Sequence, residues 1–256
     1  VDPEKIYPQL DYANDTAPRA PALEESLEES TRLLAAGQHA QAETIAREML
    51  ARAPLMQDAR ILLARALLEQ NKLPDAEREF RAALDERLPL PVTLAWANAG
   101  LGEIALRRNQ AAEAARFFNE AVRAEGGYAP TLAARASRLR AEAALGASAP
   151  ALDESVRAAV TQLDQTIRGG RKTELDALLV PGELATFAKG IIGSQPEQWQ
   201  TKLLRTESLG ADRFAADVQI TAKPLGGREQ SGTAVLVFAR VGNTMRLADV
   251  PIFEVR

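Results

Sequence analysis

The chain has 256 residues, of which 46% are hydrophobic and 26% are charged, and these fractions are ordinary for a globular protein. Its net charge of −4 gives no electrostatic reason to expect binding to nucleic acid or to an anionic membrane. The absence of cysteine excludes disulfides and thiolate metal sites, and the single histidine, His39, excludes a metal site built from several histidines.

The first residue of the chain and its composition favour one cellular compartment over another. The sequence starts at Val1 rather than with methionine, which is consistent with a processed N-terminus. Together with the absence of cysteine, this start favours an exported bacterial protein, periplasmic or membrane-associated, over a cytoplasmic one. No apolar run approaches the roughly 18 residues of a membrane-spanning helix, so we expect no direct membrane insertion.

Residues 1–22 contain four prolines and show no helical or alternating period. Because proline interrupts helices and favours extended geometry in the residue before it, this stretch is predicted to be a tail or linker.

From Leu23 to Leu145 the hydrophobic pattern is helical and repeats with a period close to 34 residues. The predicted turns between the two helices of each repeat fall at Gly37, Asn71 and Asn109. Small residues recur five positions after each turn, at Ala42, Ala76 and Ala114. The packing position four residues further on is occupied by Ala46, Phe80 and Phe118. The second step is four residues longer than the first, and the extra residues are predicted to lie in the loop around 85–92.

The stretch Leu101–Glu125 carries the clearest family signature. Its Leu-Gly pair is followed by Ala114 and Phe118, the order of small and large residues that two closely packed antiparallel helices need. Here the chain resembles the tetratricopeptide repeat family. The resemblance implies a solenoid of about three helix pairs with a capping helix at residues 130–145, and it implies a protein partner.

In this family the binding groove is lined by positions two, five, nine and twelve of each repeat. The groove residues that the resemblance implies here are Leu27, Thr31, Leu34, Asp58, Ile61, Arg65, Leu68, Trp96, Glu103 and Leu106, with Glu24 and Ala99 at the two remaining positions. The Lys and Asn pattern with which some relatives clamp a terminal carboxylate is absent. An apolar helix or an extended segment is the expected occupant, because Trp and aliphatic anchors carry much of the energy of an interface. In the alternative interpretation, Trp96 and the leucines are buried by neighbouring helices or by the C-terminal domain.

Residues 146–150 are small and turn-prone, and they are interpreted as the boundary between a helical domain at 23–148 and a second domain at 151–256. Three further helices are predicted at 152–167, 173–179 and 183–192. Four strands are predicted at 202–209, 213–223, 231–241 and 244–255.

Helices followed by antiparallel strands predict an α+β domain. With the run LLVPGELATFAKGI, this order resembles the NTF2-like family, whose bent antiparallel sheet wraps around an N-terminal helix to form a cone. The predicted fold class is therefore an α-helical tetratricopeptide-type solenoid followed by an NTF2-like α+β domain.

The C-terminal domain offers few candidates for catalysis. NTF2-like enzymes generally place an acid, His or Tyr inside the cone, and residues 151–256 contain neither His nor Tyr. Asp217 is predicted to be a solvated acid on the polar face of its strand. Asp249 lies two residues after Leu247 and four after Met245, so in a regular strand all three side chains would lie on the same, apolar face. There Asp249 would point into a pocket, and burial would raise its pKa. The Val250-Pro251 pair that follows favours a bulge, which would reverse that parity.

The leading hypothesis is a non-enzymatic scaffold or assembly subunit that binds a protein through the groove and uses no cofactor. The C-terminal domain would then serve dimerisation, docking or a second partner, in a homodimer or a larger complex. The alternative hypothesis is a small-molecule binding protein or weak enzyme that uses an apolar pocket in the C-terminal cone.

Overall fold

The computed structural model describes residues 21–145, 151–182, 184–194 and 196–255. Most of the predicted tail and the whole predicted boundary at 146–150 lie outside these ranges. The chain divides into two compact units, which we call the N-terminal body (Val1–Ser137) and the C-terminal body (Arg138–Arg256). The domain limits expected from the sequence, 23–148 and 151–256, stay a prediction.

The first part of the chain is helical, as predicted. Its seven described helices are α1 (Leu23–Ala35), α2 (His39–Arg52), α3 (Gln57–Glu69), α4 (Leu73–Leu84), α5 (Pro91–Arg107), α6 (Ala111–Arg123) and α7 (Tyr128–Ala144). Successive helices from α1 to α6 pack against each other as antiparallel neighbours, and α3 also contacts α1 and α5. This is the arrangement of stacked helix pairs expected of a helical repeat.

The turns inside the three helix pairs have the same geometry. Gly37, Asn71 and Asn109 all lie in the left-handed region, with φ of 76°, 59° and 60°. In each turn the N–H of this residue donates to the carbonyl oxygen three residues earlier, as Asn71 does to Leu68. The N–H of the next residue donates to the carbonyl oxygen five residues earlier, as Lys72 does to Leu67. These two bonds define a Schellman motif, which favours Gly or Asn at the left-handed position. The predicted turn positions are confirmed.

The predicted small-residue positions are places of close helix approach. Ala42, Ala76 and Ala114 are completely buried, and so is Phe80. The ring of Phe80 lies against Gly100 of α5, where an added Cβ would come within 2.1 Å of the ring carbon Cζ. A side chain of any size at Gly100 would therefore collide with this ring.

The extra residues of the third repeat are accommodated differently from the sequence expectation. The connection between α4 and α5 spans residues 85–90, only slightly longer than the connection at residues 53–56. Helix α5 has 17 residues, whereas α3 has 13. Pro91 occupies the first turn of α5, where its missing N–H costs nothing. The insertion thus appears mainly as one additional helical turn, which the sequence alone placed in the loop.

Glu43 links the first two helix pairs. Its carboxylate accepts hydrogen bonds from Lys72 Nζ at 2.8 Å, Gln70 Nε2 at 2.8 Å and Arg47 Nε at 2.9 Å. Burial raises the pKa of Glu43, but the hydrogen bonds from Lys72, Gln70 and Arg47 outweigh this effect and lower the pKa to about 2.

The Glu43 carboxylate is expected to stabilise the repeat at neutral pH and to lose this effect in acid. Because its folded pKa lies below the ordinary value of 4.5, the stabilisation is present above pH 4.5 and disappears as the pH falls towards about 2. Thermal unfolding of the wild type and Glu43→Gln should differ most near neutral pH and converge below pH 4.5. Glu48→Gln, an exposed position on the same helix, is the matched control. A Glu43→Gln difference that does not depend on pH would contradict this prediction.

The described residues of the C-terminal body form the end of α7, three further helices and one sheet. The helices are α8 (Glu154–Gly169), α9 (Lys172–Ala177) and α10 (Leu184–Gly193). The strands are β1 (Pro196–Ser208), β2 (Arg213–Pro224), β3 (Gln230–Val241) and β4 (Thr244–Val255). All neighbouring strands are antiparallel, in the order β1-β2-β3-β4. The predicted order of helices followed by a four-stranded antiparallel sheet is confirmed.

One face of the sheet packs on α8 to form the core of this body. The core residues include Val160, Leu163 and Ile167 of α8, with Val218 of β2 and Leu236 of β3. Asp153 caps the start of α8 by accepting bonds from the N–H groups of residues 155 and 156. The apolar face predicted for α8 is therefore the face that meets the sheet.

Strand β1 begins six residues before its predicted start at Lys202. The added residues pair with the end of β2, where Trp199 lies opposite Ala222. The buried Asp164 of α8 fixes the last of them, because it accepts bonds from Thr201 N at 2.8 Å and from Thr201 Oγ1 at 2.6 Å. Burial raises the pKa of Asp164, while the bonds from Thr201 act in the opposite direction. Trp199, which is buried beside Thr201, also belongs to the strand. Residues 196–201 are mostly polar, so the sequence did not predict that they pair with β2.

Candidate protein-binding groove

The residues predicted to line the groove fall into two groups in the structure. Leu34, Ile61 and Leu68 are buried in the core of the helical stack. The other seven are at least partly accessible, namely Leu27, Thr31, Asp58, Arg65, Trp96, Glu103 and Leu106. A partner could therefore reach the second group directly, whereas the three buried side chains contribute to the stability of the stack. The groove itself stays a prediction.

Arg65 and Trp96 form a stacked pair between α3 and α5. The guanidinium carbon Cζ of Arg65 lies 3.9 Å from the centroid of the Trp96 ring, a close cation–π contact. Desolvation by burial lowers the pKa of Arg65, and the nearby charge of Glu69 partly offsets this effect. Among the described residues, the guanidinium of Arg65 has neither a hydrogen bond nor an ion pair.

A second arginine, Arg107 on α5, interacts with two acids. Arg107 Nη1 donates to the carbonyl oxygen of Leu68 at 2.6 Å. Its other nitrogens lie 3.7 Å from a carboxylate oxygen of Glu69 and 3.8 Å from one of Glu103. Glu69 and Glu103 are thus near a cation other than Arg65.

Asp249 does not point into a pocket. Its side chain is exposed, and its carboxylate accepts a bond from Val250 N at 2.7 Å. Strand β4 pairs irregularly around this residue, since Val237 is opposite Asp249 but Val235 is opposite Ile252. Register shifts lie on both sides of Asp249, so that it pairs with Val237 on the face of the sheet opposite to that of Leu247, which pairs with Phe238. The orientation expected from a regular strand is therefore wrong, and with it the argument for a buried base.

Asp217 was expected to be solvated, and this expectation is also wrong. It is only 5% exposed, and its Oδ2 atom lies 3.2 Å from Nη2 of the fully buried Arg138. Arg138 Nη1 also bonds Glu207 at 3.1 Å, and Arg205 bonds both Glu207 and Glu142. We call these five residues the Arg138 cluster. No motif pointed to it, because its members lie far apart in the sequence.

The C-terminal body has an open cleft of about 470 Å³ at its surface. Residues of α8 and of the β3–β4 hairpin line this cleft, including Ser155, Gln162, Arg240 and Asn243. Its mixed polar and apolar lining differs from that of the apolar cone pocket expected from the sequence. In the part of the chain that the structure describes, no three acidic or histidine residues are grouped so that they could hold a metal ion.

Comparison with known proteins supports the repeat in one region. A family model described as a tetratricopeptide repeat matches residues 33–88, which run from the end of α1 to just beyond α4. The search of curated proteins and the search of solved structures gave no significant match. None of the helices described here has the length and apolar character required to cross a membrane. The match to the tetratricopeptide repeat model indicates a role in protein–protein interaction.

Proposed function

We propose that the protein is a non-enzymatic scaffold or assembly subunit that binds a protein partner across the first helices α1, α3 and α5. The observation that carries this proposal is the Arg65–Trp96 pair, a partly accessible aromatic anchor on a face formed by consecutive repeats. Tryptophan and arginine are the residues most often found at the energetic centre of interfaces. Leu27 and Leu106 add partly accessible apolar surface on the same row of helices.

For the C-terminal body we propose an NTF2-like domain that mediates dimerisation, docking or contact with a second partner. The support is its element order, with three helices preceding a four-stranded antiparallel sheet that packs against α8. A binding role suits this body better than catalysis, because Asp217 is paired in the Arg138 cluster and Asp249 is exposed. This proposal needs no cofactor.

Replacing Trp96 with alanine is expected to reduce partner recovery about tenfold or more, because it removes the aromatic anchor. Recovery would be measured by quantitative mass spectrometry after affinity purification of the full chain from its native host. Phe117→Ala is a matched control, since Phe117 is also a half-buried aromatic with an arginine, Arg116, over its ring at 5.2 Å, but lies on a second helix.

Equal loss of partners from both variants would point to a general structural effect and would contradict the groove. Retention of every partner by Trp96→Ala would do so as well. Substitutions of Ile61 or Leu68 are unsuitable for this purpose, because a charge at these buried positions would unfold the repeat.

A further inference from the structure

The Arg65 guanidinium is the one feature of the accessible groove residues whose chemistry specifies a ligand. Other arginines on these helices have acidic partners, as Arg107 has with Glu69 and Glu103, and as Arg60 has with Glu79 at 3.2 Å. Arg65 instead has the face of Trp96 on one side and no hydrogen-bond acceptor among the described residues. A guanidinium carries five N–H donors, so this one has unused donor capacity.

The position of the guanidinium over the Trp96 ring leaves those donors available. The N–H bonds of a guanidinium lie in its plane, and stacking on a ring occupies the face of that plane rather than its edge. Packing on Trp96 also reduces the freedom of a long side chain, so less entropy is lost when a ligand binds. Since Arg65 is already partly desolvated, a charge-assisted bond made there is stronger than one made in open solvent.

We propose that the Arg65–Trp96 pair recognises the carboxylate of an aspartate or glutamate side chain within a segment of the partner protein. This inference rests on the proposed function and specifies the chemistry of its partner. A carboxylate matches the planar fork of a guanidinium and can accept two parallel bonds.

The surroundings favour a single carboxylate over a phosphate group. Asp58 and Glu69 lie on the same helix as Arg65, and the chain as a whole carries a net charge of −4. A phosphate group, with a charge near −2, would be repelled more strongly by these acids than one carboxylate would be. Apolar neighbours such as Leu27 and Leu106 suit the apolar residues on either side of the acid.

The position of the pair favours an internal side chain over a chain terminus. Arg65 lies on α3, the central one of the three first helices, and accessible groove residues lie both on α1, with Thr31, and towards the end of α5, with Leu106. A bound segment can therefore continue in both directions from the acid. The terminal carboxylate is the alternative source of the same chemistry, and the experiment separates the two.

The test uses a displayed library of random 12-residue peptides selected on the full chain. The best peptide is then synthesised with a fluorescent label and an amidated C-terminus, and its affinity is measured by fluorescence anisotropy. We expect an enriched acidic residue, and a loss of about tenfold or more when that residue is changed to its amide. In Arg65→Met the same change in the peptide should have almost no effect, because the two substitutions remove the same contact.

Two control variants complete the design. Arg78→Gln changes the net charge as Arg65→Met does, but at an exposed position on α4, and should leave binding unchanged. Arg65→Lys should recover only part of the affinity, since lysine retains the charge without the planar fork.

The proposal is overturned if the selected peptides bind through Trp96 without any acidic residue, a result that leaves the proposed function standing. It is also overturned if affinity depends on a free C-terminal carboxylate, or if Arg65→Met weakens the acidic and amide peptides equally. If no selected peptide depends on Trp96, both the carboxylate and the groove are excluded.

Discussion

Arg138→Ala is expected to lower the free energy of unfolding of the C-terminal body by about 3–5 kcal/mol, the range measured when one partner of a buried ion pair is removed. Arg138 is completely buried and bonds both Asp217 and Glu207. Its loss leaves the Asp217 carboxylate in a site that is only 5% exposed. The cost arises mainly because this largely buried carboxylate loses its charge-assisted bond from the guanidinium.

Hydrogen exchange of the β2 and β3 amides would measure this effect, because it reports the stability of one body without assuming that the whole chain unfolds in a single step. Arg157→Ala is the control, since its pair with Glu154 lies on the exposed side of α8 and contributes little. The double variant Arg138→Met with Asp217→Leu should recover most of the loss, because both charges of this buried ion pair are then replaced by apolar groups. Equal destabilisation by the single and double variants would contradict this explanation.

Phe80→Ala is expected to destabilise the N-terminal body by about 3–5 kcal/mol. The Phe80 side chain is completely buried, and its ring fills the space above Gly100. Removal of the ring leaves a cavity between α4 and α5 that the helices cannot close without losing other contacts. Chemical unfolding followed by circular dichroism, or exchange of the amides of α3 to α5, would measure the change.

Gly100→Ala is expected to change the stability in opposite directions in the wild type and in Phe80→Ala. In the wild type it should destabilise by about 1–3 kcal/mol, because its Cβ would lie 2.1 Å from Phe80 Cζ. In the Phe80→Ala background the same change should be stabilising, because the methyl group enters the cavity and alanine favours the helix over glycine. Gly190→Ala on α10 has open space around it and should be stabilising or neutral in either background. An effect of Gly100→Ala with the same sign in both backgrounds would show that the contact with Phe80 is not the cause.

The sequence predicted the helical repeat well because its signals are local. Gly37, Asn71 and Asn109 mark left-handed positions that few residue types tolerate, and the buried alanines follow at a constant distance. These features depend on the residues of one turn and its neighbouring helix. The order of helices and strands in the C-terminal body could be predicted for the same reason.

The wrong predictions concern what covers each surface. The alternation in β2 showed that Val218 and Asp217 point to opposite faces, but it could not show that Arg138 is buried beside the second face. The orientation predicted for the Asp249 side chain was wrong because the bulge in β4 depends on its pairing with β3, which is not a local property of the sequence. The groove stays a prediction: its positions were assigned from the repeat, whereas the burial of Ile61 and Leu68 depends on the helices on either side.

The three identical turns have a consequence for how such a chain can change over time. Each turn at Gly37, Asn71 and Asn109 closes its own pair of helices with bonds made inside that pair. A segment of one period can therefore be duplicated or deleted by recombination without altering the geometry of the turns that remain. The length of the helical stack can then evolve in whole steps, and a change outside the second and third helix pairs leaves the contact between Arg65 and Trp96 intact.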